Sequence, residues 1–84
     1  MTPYYTYLVQ CADTTYYTGV CTDLERRLRE HNSPRIGARY TRTRQPVRLL
    51  YSEAHPDRSS AQKREYALKQ LSHQQKASLV SQNS

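Results

Sequence analysis

The sequence predicts a small α/β domain of the α+β type, its elements in the order β-β-α-β-α-α, and three observations carry that expectation. Two runs rich in aromatic and β-branched residues flank a short polar turn. A third such run follows later in the chain, and three Ser or Thr residues each stand three places before a Glu or Gln at the head of a helical stretch. The first run is Tyr4 to Cys11 and the second Tyr16 to Cys21, with Ala12-Asp13-Thr14-Thr15 between them. A parallel crossover needs far more chain than that turn offers, so the two runs form an antiparallel hairpin. Gly19 lies inside the second run, where a glycine marks a bulge or a close approach by another group.

Thr22-Asp23-Leu24-Glu25 reads as a capping box that opens the first helix, which extends to about Asn32. On a helical wheel Leu24 and Leu28 form the buried stripe. Arg27 and His31, at i and i+4, share its edge, while Arg26, Arg29 and Glu30 point away. Ser33 to Pro46 lacks strong periodicity and reads as a loop with room for one helical turn. Val47 to Glu53 alternates as a third strand. Ser59 with Gln62 opens a second helix reaching Gln70 or Leu71, and Ser72 with Gln75 opens a short third one. Residues 1–80 form a single domain, and 81–84 a polar tail expected to fray.

In the second helix Glu65 sits at the centre of the face shared by Ala61 and Leu68, flanked by Arg64 and Leu71. A carboxylate there needs a cation, a hydrogen-bond network or the rim of a cleft, and Arg27 is the candidate partner for an internal ion pair.

A chain of 84 residues holds one domain, burying roughly 60% of its unfolded surface. Its net charge is +6, and the excess is concentrated: between Arg26 and Arg48 stand eight arginines and a single acid, Glu30. That imbalance points to a polyanionic partner. The preponderance of Arg over Lys, ten to three, favours phosphate and base contacts over mere solubility. No apolar run exceeds three residues and the amino terminus lacks the regions of a signal peptide, so the sequence predicts a cytoplasmic protein with no membrane partner. Cys11 and Cys21, ten apart, match neither a redox pair nor a zinc pattern and read as reduced strand residues.

The chain has eight Tyr, five of them within the first seventeen residues, and neither Trp nor Phe. Tyrosines on paired strands, an Arg and a His at the core edge of the next helix, a misplaced Glu on a later helix and an Arg-rich loop together resemble the GIY-YIG nucleases. Tyr5-Thr6-Tyr7 stands where the first signature tripeptide would be, keeping its final Tyr, and Tyr17-Thr18-Gly19 stands for the second, keeping Tyr and Gly. The helix from Thr22 to Asn32 resembles the family's Arg and His segment, and Lys63 to Lys69 its acidic helix. Gly37-Ala38-Arg39-Tyr40-Thr41-Arg42 is similar to a segment of the small stand-alone bacterial members. The resemblance spans about residues 4 to 80.

What the resemblance implies is a three-stranded antiparallel sheet flanked by helices and metal-dependent hydrolysis of DNA phosphodiesters, in repair, recombination or other DNA processing. Glu65 would hold one divalent ion, Mg²⁺ or Mn²⁺. Arg27 would stabilise charge on phosphorus, Tyr7 or Tyr17 would deprotonate the attacking water, and His31 would hydrogen-bond the cluster or help move protons. Independently of the resemblance, Arg35, Arg39, Arg42 and Arg44 stand on a segment without any acid and are expected to contact phosphates, with Tyr40 available to stack on an unpaired base. The alternative is a non-catalytic nucleic-acid-binding protein retaining the nuclease fold. That reading uses the Arg loop and Tyr40 but leaves Glu65 without a purpose.

Overall fold

The computed structural model describes residues 3–33, 41 and 43–82. In chain order these form β1 (Tyr4–Gln10), β2 (Tyr16–Cys21), α1 (Leu24–His31), β3 (Arg48–His55), α2 (Arg58–Lys69) and α3 (His73–Gln82). The three strands make one antiparallel sheet in the order β2-β1-β3. The element order and the sheet are those expected from the sequence.

Centrality explains the composition of β1. Its residues Thr6 to Val9 are all buried, because successive side chains point to opposite faces and both faces are covered. On one face Tyr7 and Val9 join Cys11 and Val47 in a core cluster, with Leu24 and Leu28 of α1 packed against it. The other face receives α2 through Ala61 and Leu68, both buried, and the Thr6 hydroxyl donates to the Ala61 carbonyl at 2.8 Å. The β1–β2 register sets Tyr7 opposite Gly19 and Val9 opposite Tyr17. Between β1 and β3 the register shifts at Leu8/Val9.

The helix heads correct two sequence expectations. Asp23, not Thr22, caps α1, its carboxylate accepting from the Arg26 amide at 3.1 Å. Asp57, not Ser59, caps α2 by accepting from the Ser60 amide at 2.7 Å. In both cases a carboxylate stands close to a competing hydroxyl, and its charge suits the positive end of the helix dipole better. The third box is present as expected: the Ser72 amide donates to Gln75 Oε1 at 2.8 Å and the Gln75 amide to Ser72 Oγ at 3.1 Å. β3 begins one residue later than expected and runs two further, and α3 includes Ser81 and Gln82. Cys11 and Cys21 are both free thiols.

The β1–β2 turn closes through Cys11 N–H to the Thr15 carbonyl at 2.8 Å and Thr14 N–H to the Cys11 carbonyl at 3.0 Å, with Thr14 in the left-handed region at φ 68°. A β-branched residue pays strain there. His73, at the start of α3, donates from Nε2 to the Thr14 carbonyl at 3.1 Å and stacks on Tyr16, ring centroids 4.6 Å apart, so α3 braces the hairpin.

Candidate active site

β1 and β2 place Tyr7 directly over Gly19. A Cβ at residue 19 would lie 2.6 Å from Tyr7 Cζ, so the phenol occupies the space a side chain would need. This is the close approach that an isolated strand glycine signals. α1 crosses the same face and lowers two side chains onto the phenol, as the i, i+4 spacing anticipated. Tyr7 Oη and His31 Nε2 lie 2.7 Å apart in a buried hydrogen bond, and Arg27 Nε donates to Tyr7 Oη at 3.3 Å. The other ring nitrogen of His31, Nδ1, is 2.8 Å from Thr41 Oγ1. Tyr17 meets the His31 ring edge-on with centroids 5.2 Å apart, and Tyr7 does so at 5.7 Å.

Burial governs the electrostatics of this cluster. Tyr7 is 2% exposed, and desolvation pushes its phenol up to about 12, although the hydrogen bond from Arg27 pulls the other way. Burial, reinforced by the Arg27 charge, lowers His31 to about 4, so its imidazole is neutral at pH 7. Burial opposes the charge on Arg27, but hydrogen bonds to Tyr7 and Glu30 hold its guanidinium above the ordinary value. The cluster at neutral pH is therefore a permanent cation, a neutral phenol and a neutral imidazole.

Glu65 projects from α2 into an open cleft of about 390 Å³ that Tyr7, Tyr17 and Arg27 also line. Its carboxylate is 25% exposed and pairs with Lys69 one turn on, at 3.5 Å. The ion pair expected between Glu65 and Arg27 does not form. Arg27 instead reaches Glu30, three residues along its own helix, at 3.0 Å, and Glu30 also takes Arg26 at 3.2 Å. Glu30, read on the wheel as pointing away, is thus drawn in by the two arginines beside it, whose hydrogen bonds hold its carboxyl below the usual range.

The structure therefore gathers Tyr7, Tyr17, Arg27 and Glu65 around one cleft, with His31 fully buried behind it and joined to it through the Tyr7 phenol. Arg35, Arg39, Tyr40 and Arg42 lie outside the described residues. Arg44 is described: its Nε pairs with Asp13 at 3.0 Å, and its backbone carbonyl accepts from the Ala12 amide at 2.9 Å. It braces the β1–β2 turn. Sequence reasoning missed Thr41, and also Arg58 and Gln62, which share the cleft with Glu65. The spacing 58, 62, 65 along one helical face was a readable signal for those two. Thr41 offered none, since its partner lies ten residues away.

Comparison with known proteins agrees with this geometry. The sequence matches the GIY-YIG catalytic domain over residues 3–78. A UPF0213 protein of Desulfotalea psychrophila is 58% identical over 77 residues, covering 92% of this chain and 70% of that protein. A UPF0213 protein of Halobacterium salinarum is 49% identical over 90% of this chain and 97% of its own length. Among solved structures, the solution NMR structure of a UPF0213 protein from Bacillus halodurans superposes with a TM-score of 0.59 at 43% identity, covering 94% of this chain and 83% of that one. That of a protein from E. faecalis gives 0.65 at 40% identity, covering 98% and 86%. With Tyr7, Tyr17, Gly19, Arg27 and the facing Glu65 on one cleft, and with the family match spanning nearly its whole length, the chain belongs to the GIY-YIG catalytic domain family, a nuclease family acting on nucleic acid.

Proposed function

We propose that the protein is a metal-dependent DNA endonuclease that hydrolyses phosphodiester bonds, acting in the cytoplasm in DNA repair, recombination or processing. The observation that supports this reading best is the placement of Glu65 in a cleft with Arg27, Tyr7 and Tyr17. A carboxylate in a phosphate-binding cleft repels its ligand unless a cation intervenes, and the exposed Lys69, 3.5 Å away, offsets that charge only in part.

Among the described residues, Glu65 is the one carboxylate lining that cleft, and no three His, Cys, Asp or Glu side chains gather as a metal cage. A single half-buried carboxylate fits one Mg²⁺ or Mn²⁺ that keeps most of its waters and takes its remaining ligands from substrate phosphate. The chemistry such an ion supplies when bound is polarisation of a phosphate oxygen and stabilisation of the 3′ leaving oxygen. Arg27, permanently charged and anchored by Glu30 and Tyr7, faces the phosphate and stabilises the charge that builds on it as water attacks. Tyr17 lines the cleft and, as the phenolate left once its own proton has passed to solvent, accepts the proton of the attacking water. Tyr7 holds Arg27 and His31 in place, because its phenol is buried, already bonded to both and resistant to ionisation. Arg35, Arg39, Tyr40, Arg42 and Arg44 supply the surrounding nucleic-acid contacts.

Replacing Glu65 by Gln tests the metal site. Mg²⁺-dependent cleavage should vanish while DNA binding stays equal or tightens, since the amide loses both the ion and the repulsion of phosphate. Cleavage at the wild-type rate by Glu65→Gln would remove the metal assignment. Binding without any cleavage by the wild type, on single-stranded, duplex and branched DNA with either ion, would assign the fold to a non-catalytic nucleic-acid-binding role.

A further inference from the structure

We infer that Thr41 is a positioning residue that stabilises the Nδ1–H tautomer of His31, the one required by a hydrogen-bond chain running from Arg27 through Tyr7. Its consequence for catalysis rests on the endonuclease reading above; the tautomer itself does not.

The chain is built from donors and acceptors whose roles are constrained at one end. A guanidinium has no acceptor, so the contact of 3.3 Å between Arg27 Nε and Tyr7 Oη uses a lone pair of the phenol oxygen. The phenol proton then needs an acceptor, and His31 Nε2 stands 2.7 Å away. A neutral imidazole that accepts at Nε2 carries its hydrogen on Nδ1, which faces Thr41 Oγ1 at 2.8 Å, an oxygen with lone pairs to receive it. The far end of the chain is enforced by burial, because both His31 and Thr41 are fully buried, so water cannot substitute for a missing partner there. The opposite tautomer would have Nε2 donate to Tyr7, leaving the phenol proton to be satisfied from the cleft instead of by the protein.

The surroundings of Thr41 give this bond a second meaning. Thr41 stands in sequence between Tyr40 and Arg42, inside the arginine segment proposed to grip the phosphate backbone. The anchor points on either side are also firm. Asn32 exchanges two hydrogen bonds with the Val47 backbone, at 2.7 and 3.0 Å, and Gln45 Nε2 donates to the carbonyls of His31 and Ser33 at 2.6 and 2.7 Å. Thr41 itself is thus held against the ring that orients Tyr7 and, through it, Arg27.

The test reads the ring directly. Long-range ¹H–¹⁵N correlation spectra of the free protein near neutral pH should show His31 protonated at Nδ1 and bare at Nε2. Thr41→Val keeps the branched shape but removes the acceptor, so the ring should shift toward the Nε2–H form. Single-turnover cleavage should then fall by about 10- to 100-fold, the range seen when a partner that orients a metal-bound histidine is removed, with DNA affinity little changed. Thr41→Ser should restore both the spectrum and the rate. A wild-type ring protonated at Nε2, or a Thr41→Val spectrum identical to wild type, would overturn the inference. If Thr41→Val does not fold, the wild-type and Thr41→Ser spectra decide it by the same criterion. The expected tautomer in a protein that cuts no DNA would leave the role of Thr41 standing and remove only the nuclease reading.

Discussion

At the scale of single residues, His31 couples the site to acid stability. Its folded value near 4 lies below the ordinary 6.5 because burial and the Arg27 charge both disfavour the imidazolium. Between those two values the unfolded chain binds more protons than the folded one. Stability is therefore full above about pH 6.5 and falls as the pH drops through the folded value, by about 3 kcal/mol at the limit. Urea unfolding at a series of pH values across that window checks this, and a midpoint that does not move would show that the ring is not desolvated. The two phenols differ in what their removal costs. Tyr17→Phe should leave stability nearly unchanged and lower single-turnover cleavage by about 10² to 10⁴. Tyr7→Phe strands a ring nitrogen of His31 and the Nε–H of Arg27, so it should also destabilise the fold by about 1–3 kcal/mol. If Tyr17→Phe stays within a few-fold of wild type while Tyr7→Phe is folded and inactive, the two roles are exchanged.

At the scale of elements, helix starts were visible in the sequence but the capping residue was ambiguous wherever an Asp stood next to or near a Ser or Thr. Asp57 receives the Ser60 amide and Asp23 the Arg26 amide. Alanine at either Asp should cost about 1 kcal/mol, whereas alanine at Thr22 or Ser59, both exposed, should change stability by less than about 0.5 kcal/mol. Denaturant midpoints of the four variants settle which residue caps each helix. The Ser72 and Gln75 box had no nearby carboxylate to compete with it and was read correctly.

At the scale of the whole molecule, the charge distribution is the feature that reaches the partner. Eight arginines between Arg26 and Arg48 form one basic segment, but they are not equivalent. Arg27 is held by Glu30 and Tyr7, and Arg44 by Asp13. Arg39→Ala and Arg42→Ala should each lower the slope of log K against log salt by about one, as the loss of a phosphate contact does. Arg44→Ala should lower it by less, because that side chain is engaged with the β1–β2 turn. Slopes unchanged from wild type in both Arg39→Ala and Arg42→Ala would move the nucleic-acid face elsewhere.

What the sequence determined by itself was whatever depends on short-range chemistry. Aromatic and β-branched alternation placed the strands, a short polar turn dictated the hairpin, and helical spacing put Arg27 and His31 on one edge facing the core. Gly19 already signalled that something would approach its backbone. Only the tertiary structure decided which groups meet. The phenol of Tyr7 lies over Gly19 because of the β1–β2 register, and His31 meets Thr41 although ten positions separate them in sequence. Arg44 reaches Asp13 across thirty-one. Arg27 chose Glu30 over Glu65 because a partner three residues along the same helix needs no second element to be brought up, while Glu65 enters the cleft from the helix packed on the opposite face of the sheet. Hydrogen bonds and ion pairs form between groups at a few ångströms, and separation along the chain says nothing about that distance until the strands have paired and the helices have packed.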